Sequence, residues 1–152
     1  MNKFLIIALI VVFAIILFFI VLGQKSQQGA PLGLQNNKLQ TCPDTPNCVS
    51  SEENVDPEHF ITPMSLVKQT PEQIMEKVNK AVLALNGVVK TRESHYLAAT
   101  FTSSLFRYVD DFEVRFDQEQ QLVHFRSASR VGKSDFGANR KRVEAMKKLL
   151  QE

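Results

Sequence analysis

The sequence predicts an α+β protein: an N-terminal transmembrane helix, then an antiparallel four- to five-stranded sheet with two helices packed on one face. Three observations carry that expectation. Phe4 to Leu22 is a run of nineteen residues without a polar side chain. Thr70-Pro71-Glu72-Gln73 opens a segment whose apolar residues recur at helical spacing. Residues 108–117 and 122–128 alternate apolar and polar side chains, the period of a strand.

The apolar run comes first in the chain and sets the organisation. As a helix it is roughly 28 Å long, about the thickness of bilayer hydrocarbon. A buried soluble helix is seldom apolar on every face for so long. The expected anchor is residues 1–23, inserted in the lipid bilayer through residues 4–22. A cleaved signal is the competing reading, although this core exceeds the usual 7–15 residues or so and Val21-Leu22-Gly23 is a poor cleavage site. Lys3 before the run and Lys25 and Lys38 after it barely discriminate an orientation.

Residues 24–40 (QKSQQGAPLGLQNNKLQ) are rich in amides and glycine and read as a flexible linker. The folded unit is then 41–152, long enough for a single core. It opens with CPDTPNC, which holds the only two cysteines, Cys42 and Cys48. In an oxidising compartment they form a small-loop disulfide, worth on the order of 2 kcal/mol in the chain-entropy model. Two free thiols in a cytosolic domain are the alternative; a C-x5-C spacing with no second ligand pair does not suit zinc.

The first helix of the domain follows Thr70. Thr70 is its N-cap, Pro71 takes the first helical position and Gln73 completes a capping box. Ile74, Met75, Val78, Ala81, Val82 and Leu85 form one stripe, and Asn86-Gly87 stops it. A short strand, interrupted by Pro63, is expected within 59–67. Four strands follow over 88–93, 96–102, 108–117 and 122–128, the first two joined by a Ser94-His95 hairpin. In the third, Asp110, Phe112, Val114 and Phe116 face inward, and Asp111, Glu113 and Arg115 form a wet face. His124 is expected beside that exposed row. The last helix runs from 134–137 to about Leu150.

Three motifs, CPDTPNCVSS, YLAATFTSSLFRYVDDFEVRFD and VHFRSASRVGKSDFGANRKRVEAM, occur in order. With them the chain resembles the family catalogued as domain of unknown function 1499 (DUF1499), found in bacteria and plants. The resemblance spans most of 41–149. It implies the limits of the domain and brings no activity with it.

Two groups of residues are candidates for chemistry. The first is a latch. Asp110 on the inward face of its strand needs a cationic partner. Counted from Phe136 (three and four positions on) and Val143 (four and three positions back), Asn139 lies on the apolar stripe of the last helix and Arg140 on its flank, so Arg140 is the expected partner of Asp110. The second is basic. From His124 to Leu150 eight Lys and Arg stand against Asp135 and Glu144. Arg126, Arg130, Lys133 and Arg140, beside a helix N-terminus, form a candidate anion patch for phosphate, a lipid headgroup or a cell-wall carboxylate. Asp135 opposes it, because a carboxylate that caps the helix fills the anion position. No metal site is expected, since His59, His95 and His124 share no ligand spacing. No cofactor motif is present. Nucleic acid is not expected, given the acids of the third strand.

The reading that follows is a single-span protein of the bacterial inner membrane, its domain facing the periplasm and binding or scaffolding an anionic envelope component. The alternative is an enzyme on an envelope polymer or lipid, with Asp110, Arg126, Asp135 and Arg140 as its residues; the balance leans away from an enzyme.

Overall fold

A computed structural model of the protein describes residues 2–52, 56–66 and 69–151. Helix α1 spans Lys3–Ser26 and is long and apolar enough to cross a membrane. None of its most apolar stretch is buried against the rest of the chain. Strands β1 (Leu34–Gln35) and β2 (Lys38–Leu39) form a small hairpin. Then come β3 (Cys48–Ser50), β4 (Met64–Ser65), α2 (Pro71–Ala84), β5 (Val88–Arg92), β6 (Tyr96–Thr102), β7 (Val109–Asp117), β8 (Leu122–Ser129) and α3 (Ala138–Gln151).

The principal sheet has six strands in the order β3-β8-β7-β6-β5, with β4 pairing alongside β3 on β8. Every ladder is antiparallel. Helices α2 and α3 lie on one face. Between them and the sheet sits the core, built on Phe112, Phe125, Val114, Ile74, Val78 and Met146. This is the α+β architecture the patterns predict. The added strand, β3, is too short to show a period of its own. Of the strand expected over 59–67, only Met64–Ser65 is extended in a ladder, with a parallel bridge between Ser50 and Phe60; Val67 lies outside the described residues.

Local chemistry explains the boundaries. Thr70 Oγ1 accepts from the Gln73 amide while the Gln73 side chain accepts from Thr70 N–H, the capping box that starts α2. At its other end Asn86, not Gly87, takes the left-handed conformation (φ 61°). Gly87 is required for space: a Cβ there would stand 2.7 Å from the Phe101 ring.

The segment 24–40, expected as a flexible linker, is laid on the sheet. α1 continues to Ser26. Asn36 and Asn37, both at positive φ, form the two-residue turn of the β1–β2 hairpin. Leu39 is buried against Tyr96 and Ala98. The exit of α1 is fastened as well. Ser26 Oγ donates to Gly23 O (2.6 Å) and accepts from Val109 N–H (3.1 Å), and Phe19 stacks on Phe106 with ring centroids 5.2 Å apart. At Gly23 the chains touch so closely that a Cβ would fall 1.9 Å from Phe106 O. The apolar helix therefore leaves the domain at a fixed point, beside the loop that joins β6 to β7.

Candidate functional site

The sheet face away from the helices is not wet. Asp111, Glu113, Arg115, His124 and Arg126 are all buried there, beneath residues 26–40 and Glu52. Strand alternation placed them on one face correctly, and the cover converts that face into a second interior. Buried charges must be matched, and these are. Glu113 is fully buried; it accepts from Gly33 N–H (2.8 Å), Tyr96 O–H (2.7 Å) and Arg126 Nη1 (3.1 Å). Burial and the Glu113 carboxylate together hold the Tyr96 phenol far above its usual range. Arg130 grips Asp111 through Nε and Nη2 (2.6 Å at the shortest) and donates from Nη1 to Ser26 O. Glu52 accepts from Arg115 Nε and Nη2 (2.8 and 2.9 Å) and from Leu39 N–H (3.0 Å). Burial alone would raise the Glu52 carboxyl, but these donors hold it below its ordinary value.

His124 is enclosed in the same layer, not beside solvent as expected. Its Nδ1 lies 3.0 Å from Ser51 O, a geometry that assigns the proton to Nδ1. Burial pushes its imidazole below the ordinary 6.5, against the pull of Glu52. His59 is its opposite: both ring nitrogens face acceptors, Asp56 Oδ2 at 2.6 Å and Thr45 O at 3.0 Å, and the Asp56 contact raises its pKa.

On the helix side, α3 is pinned to the sheet by polar contacts at its first turn. Asn139, 1% exposed, accepts from Ser127 Oγ (2.6 Å) and from Arg142, and donates to Asn47 O (2.9 Å) and Ser129 Oγ (3.1 Å). Asp110 pairs with Arg142 (2.7 Å), not with the expected Arg140. Arg142 also lies over the Phe101 ring. Arg140 instead donates to the carbonyls of Phe60 and Glu58. The phase error has a definite source. Phe136 was used to index the helical stripe, yet it lies before the helix, at φ 54° and 91% exposed. Indexed on Val143, Met146 and Leu150, Arg142 falls four before Met146 and faces the sheet.

The four cations of the expected anion patch do not converge. Arg126 is buried against Glu113 under the 26–40 segment, Arg130 serves Asp111, Arg140 holds the 58–60 turn, and Lys133 is exposed. The N-terminus of α3 is already filled: Asp135 accepts from Gly137 N–H (3.0 Å) and Asn139 N–H (2.7 Å). The four residues of the enzyme alternative are likewise split, Asp110 and Arg126 on opposite faces of the sheet and Asp135 and Arg140 committed elsewhere. Cys42 and Cys48 are joined in a disulfide, Cα atoms 5.7 Å apart. Asn47 of that loop reaches Asn139 and Gly132, so the first and third motifs meet in space. Of the residues missed, Ser127 was in reach, since it follows Val123 and Phe125 at strand period. Asn47 carried no signal.

Among the clefts of the described residues is one of about 820 Å³ between the 27–34 segment and β5–β6. Ala98, Thr100 and Thr102 line it along β6, with Tyr96, Lys90 and Arg130 around them. Gln27 and Val109 also line it, next to the point where α1 leaves the domain.

Two predictions follow from these contacts. Asp110→Asn removes the charge that Arg142 faces, so the melting temperature falls, by an amount corresponding to roughly 1–3 kcal/mol; a thermal melt indistinguishable from wild type contradicts the latch. For pH, a depressed histidine pKa means that the unfolded chain binds the proton first. The stability tied to His124 is complete above 6.5 and is lost as pH falls from there toward the folded pKa. His59 acts with the opposite sign, stabilising below 6.5 and losing that contribution as pH rises through its raised value. His124→Gln therefore loses less stability than wild type between about pH 7 and about pH 5 in urea unfolding, and equal losses contradict the assignment.

No curated protein matches the chain. A family model described as "Protein of unknown function (DUF1499)" matches residues 38–150, which takes in the β2 strand, the disulfide loop, all six strands of the principal sheet and nearly all of α3. The chain therefore belongs to the DUF1499 family, as its three motifs indicated.

Proposed function

We propose that this protein is a single-span envelope protein of the bacterial inner membrane, its domain on the periplasmic side, and that the domain is a binding module for an anionic amphiphile of the envelope. The observation that carries the binding role is the cleft at the exit of α1. Threonine hydroxyls and Gln27 offer hydrogen bonds along it, Lys90 supplies positive charge beside Glu93, the Arg130 charge being matched by Asp111, and Ala98, Pro31 and Leu34 supply apolar wall. Clefts that combine apolar lining with a few polar groups are the usual form of a small-ligand site. A cleft that begins where the chain emerges from an apolar helix is within reach of molecules that live in the bilayer.

The compartment is supported by the disulfide, because such bonds persist in oxidising surroundings. The absence of convergence among Asp110, Arg126, Asp135 and Arg140 favours binding over catalysis by those groups.

The test uses the full chain in nanodiscs of mixed phosphatidylglycerol and phosphatidylcholine. Native mass spectrometry is expected to find phosphatidylglycerol retained on the wild-type protein. Lys90→Glu, which reverses a charge on the wall, and Thr102→Trp, which fills one end of the cleft, are each expected to reduce that retention severalfold. Equal retention in all three proteins, or no preference for the anionic lipid, overturns the proposal.

A further inference from the structure

The contact between α1 and the β6–β7 loop fixes how deep the domain sits. Phe19 belongs to the apolar run of α1, and its ring meets Phe106 at 5.2 Å. The loop backbone at Phe106 touches Gly23, and Gln27 Nε2 donates to Arg107 O (3.4 Å). Loop residues 105–107 therefore lie alongside the last turns of α1, from residue 19 upward.

Length decides what this means. If the bilayer hydrocarbon stopped below Phe19, only residues 4–18 would remain to span it, about 22 Å at helical rise against a core of about 30 Å. Residues 4–22 supply about 28 Å, which matches. The match requires the last apolar turn of α1, and whatever packs beside it, to lie within the membrane. Phe106 packs beside it. Leu105, next in the loop, is 78% exposed and belongs to neither buried apolar cluster of the described residues. Tyr108 follows, its ring 6.2 Å from Phe106. Lys25 on the last turn of α1 and Arg107 in the loop are both exposed. An apolar tip bordered by aromatic and basic side chains is the profile of a segment at a membrane interface.

We infer that the β6–β7 loop is a second membrane contact: Leu105 and Phe106 enter the upper hydrocarbon of the leaflet beside α1 and seat the domain on the bilayer. The inference rests on the proposed single-span anchor. Its consequence is that the cleft, which Thr102 and Val109 line at the two ends of this loop, stands at headgroup level.

The chain has no tryptophan, so one can be introduced as a sole reporter. Full-length Leu105→Trp is reconstituted in phosphatidylglycerol–phosphatidylcholine vesicles, beside Glu119→Trp, whose turn lies at the opposite end of β7. For Leu105→Trp we expect blue-shifted emission, severalfold stronger quenching by lipids brominated high on the acyl chain than for Glu119→Trp, and protection from aqueous iodide. Emission like that of Glu119→Trp, in protein that stays with the vesicles after an alkaline carbonate wash, overturns the seat and leaves the anchor standing. Blue-shifted emission without bromolipid quenching means that a second copy or another protein covers Leu105, which also overturns it. Release of the protein by the wash overturns anchor and seat together.

Discussion

The structure turns on a carboxylate with no access to water. Glu113 stands in the centre of β7, fully buried, and an ion in that position is tolerable only if its oxygens are filled. They are filled by groups from three parts of the chain: Gly33 from the segment after α1, Tyr96 from β6 and Arg126 from β8. Asp111 with Arg130, and Glu52 with Arg115, extend the same arrangement along the face. Leu39 N–H and Ser26 O are tied into it at the two ends of the 26–40 segment. Such a layer is strong only when complete, because removing one partner leaves another charge buried alone.

That layer has a mechanical consequence. A span followed by a loose linker would let the domain tumble above the membrane. Here the chain that leaves α1 is bound at Ser26, Gly33 and Leu39 within fourteen residues, and α1 itself packs on the β6–β7 loop. The orientation of the domain against the helix is thus set by the same contacts that satisfy the sheet's buried charges. The cleft beside the helix exit inherits that fixed geometry. On the other face, Asn139 and the Asp110–Arg142 pair do comparable work for α3 and join it to the disulfide loop.

The sequence made the architecture legible wherever a period or a cap spoke. The capping box at Thr70, the stripe of α2, the hairpin at Ser94-His95 and the alternation of β7 and β8 all appear as read. What it hid was the cover. Alternation reports that Asp111, Glu113 and Arg115 share a face, but it cannot distinguish water from a polar strand of chain lying over them. Because 24–40 was read as a linker, His124 and the charged row were assigned to solvent. A signal was present: Asn36-Asn37 between Leu34-Gln35 and Lys38-Leu39 is a two-residue hairpin turn. The wrong partner for Asp110 came with Phe136, counted into a helix that begins two positions later, which favoured Arg140 over Arg142, four before Met146. The cleft is formed by residues distant in sequence and had no local signature.

Residues 27–40 are part of the folded domain, held by buried carboxylates. Hydrogen–deuterium exchange of the full chain in detergent micelles measures this directly. The amides of Gly33 and Leu39, bonded to Glu113 and Glu52, are expected to exchange as slowly as neighbouring amides of β7. Exchange of both at the rate of an unstructured peptide would contradict this.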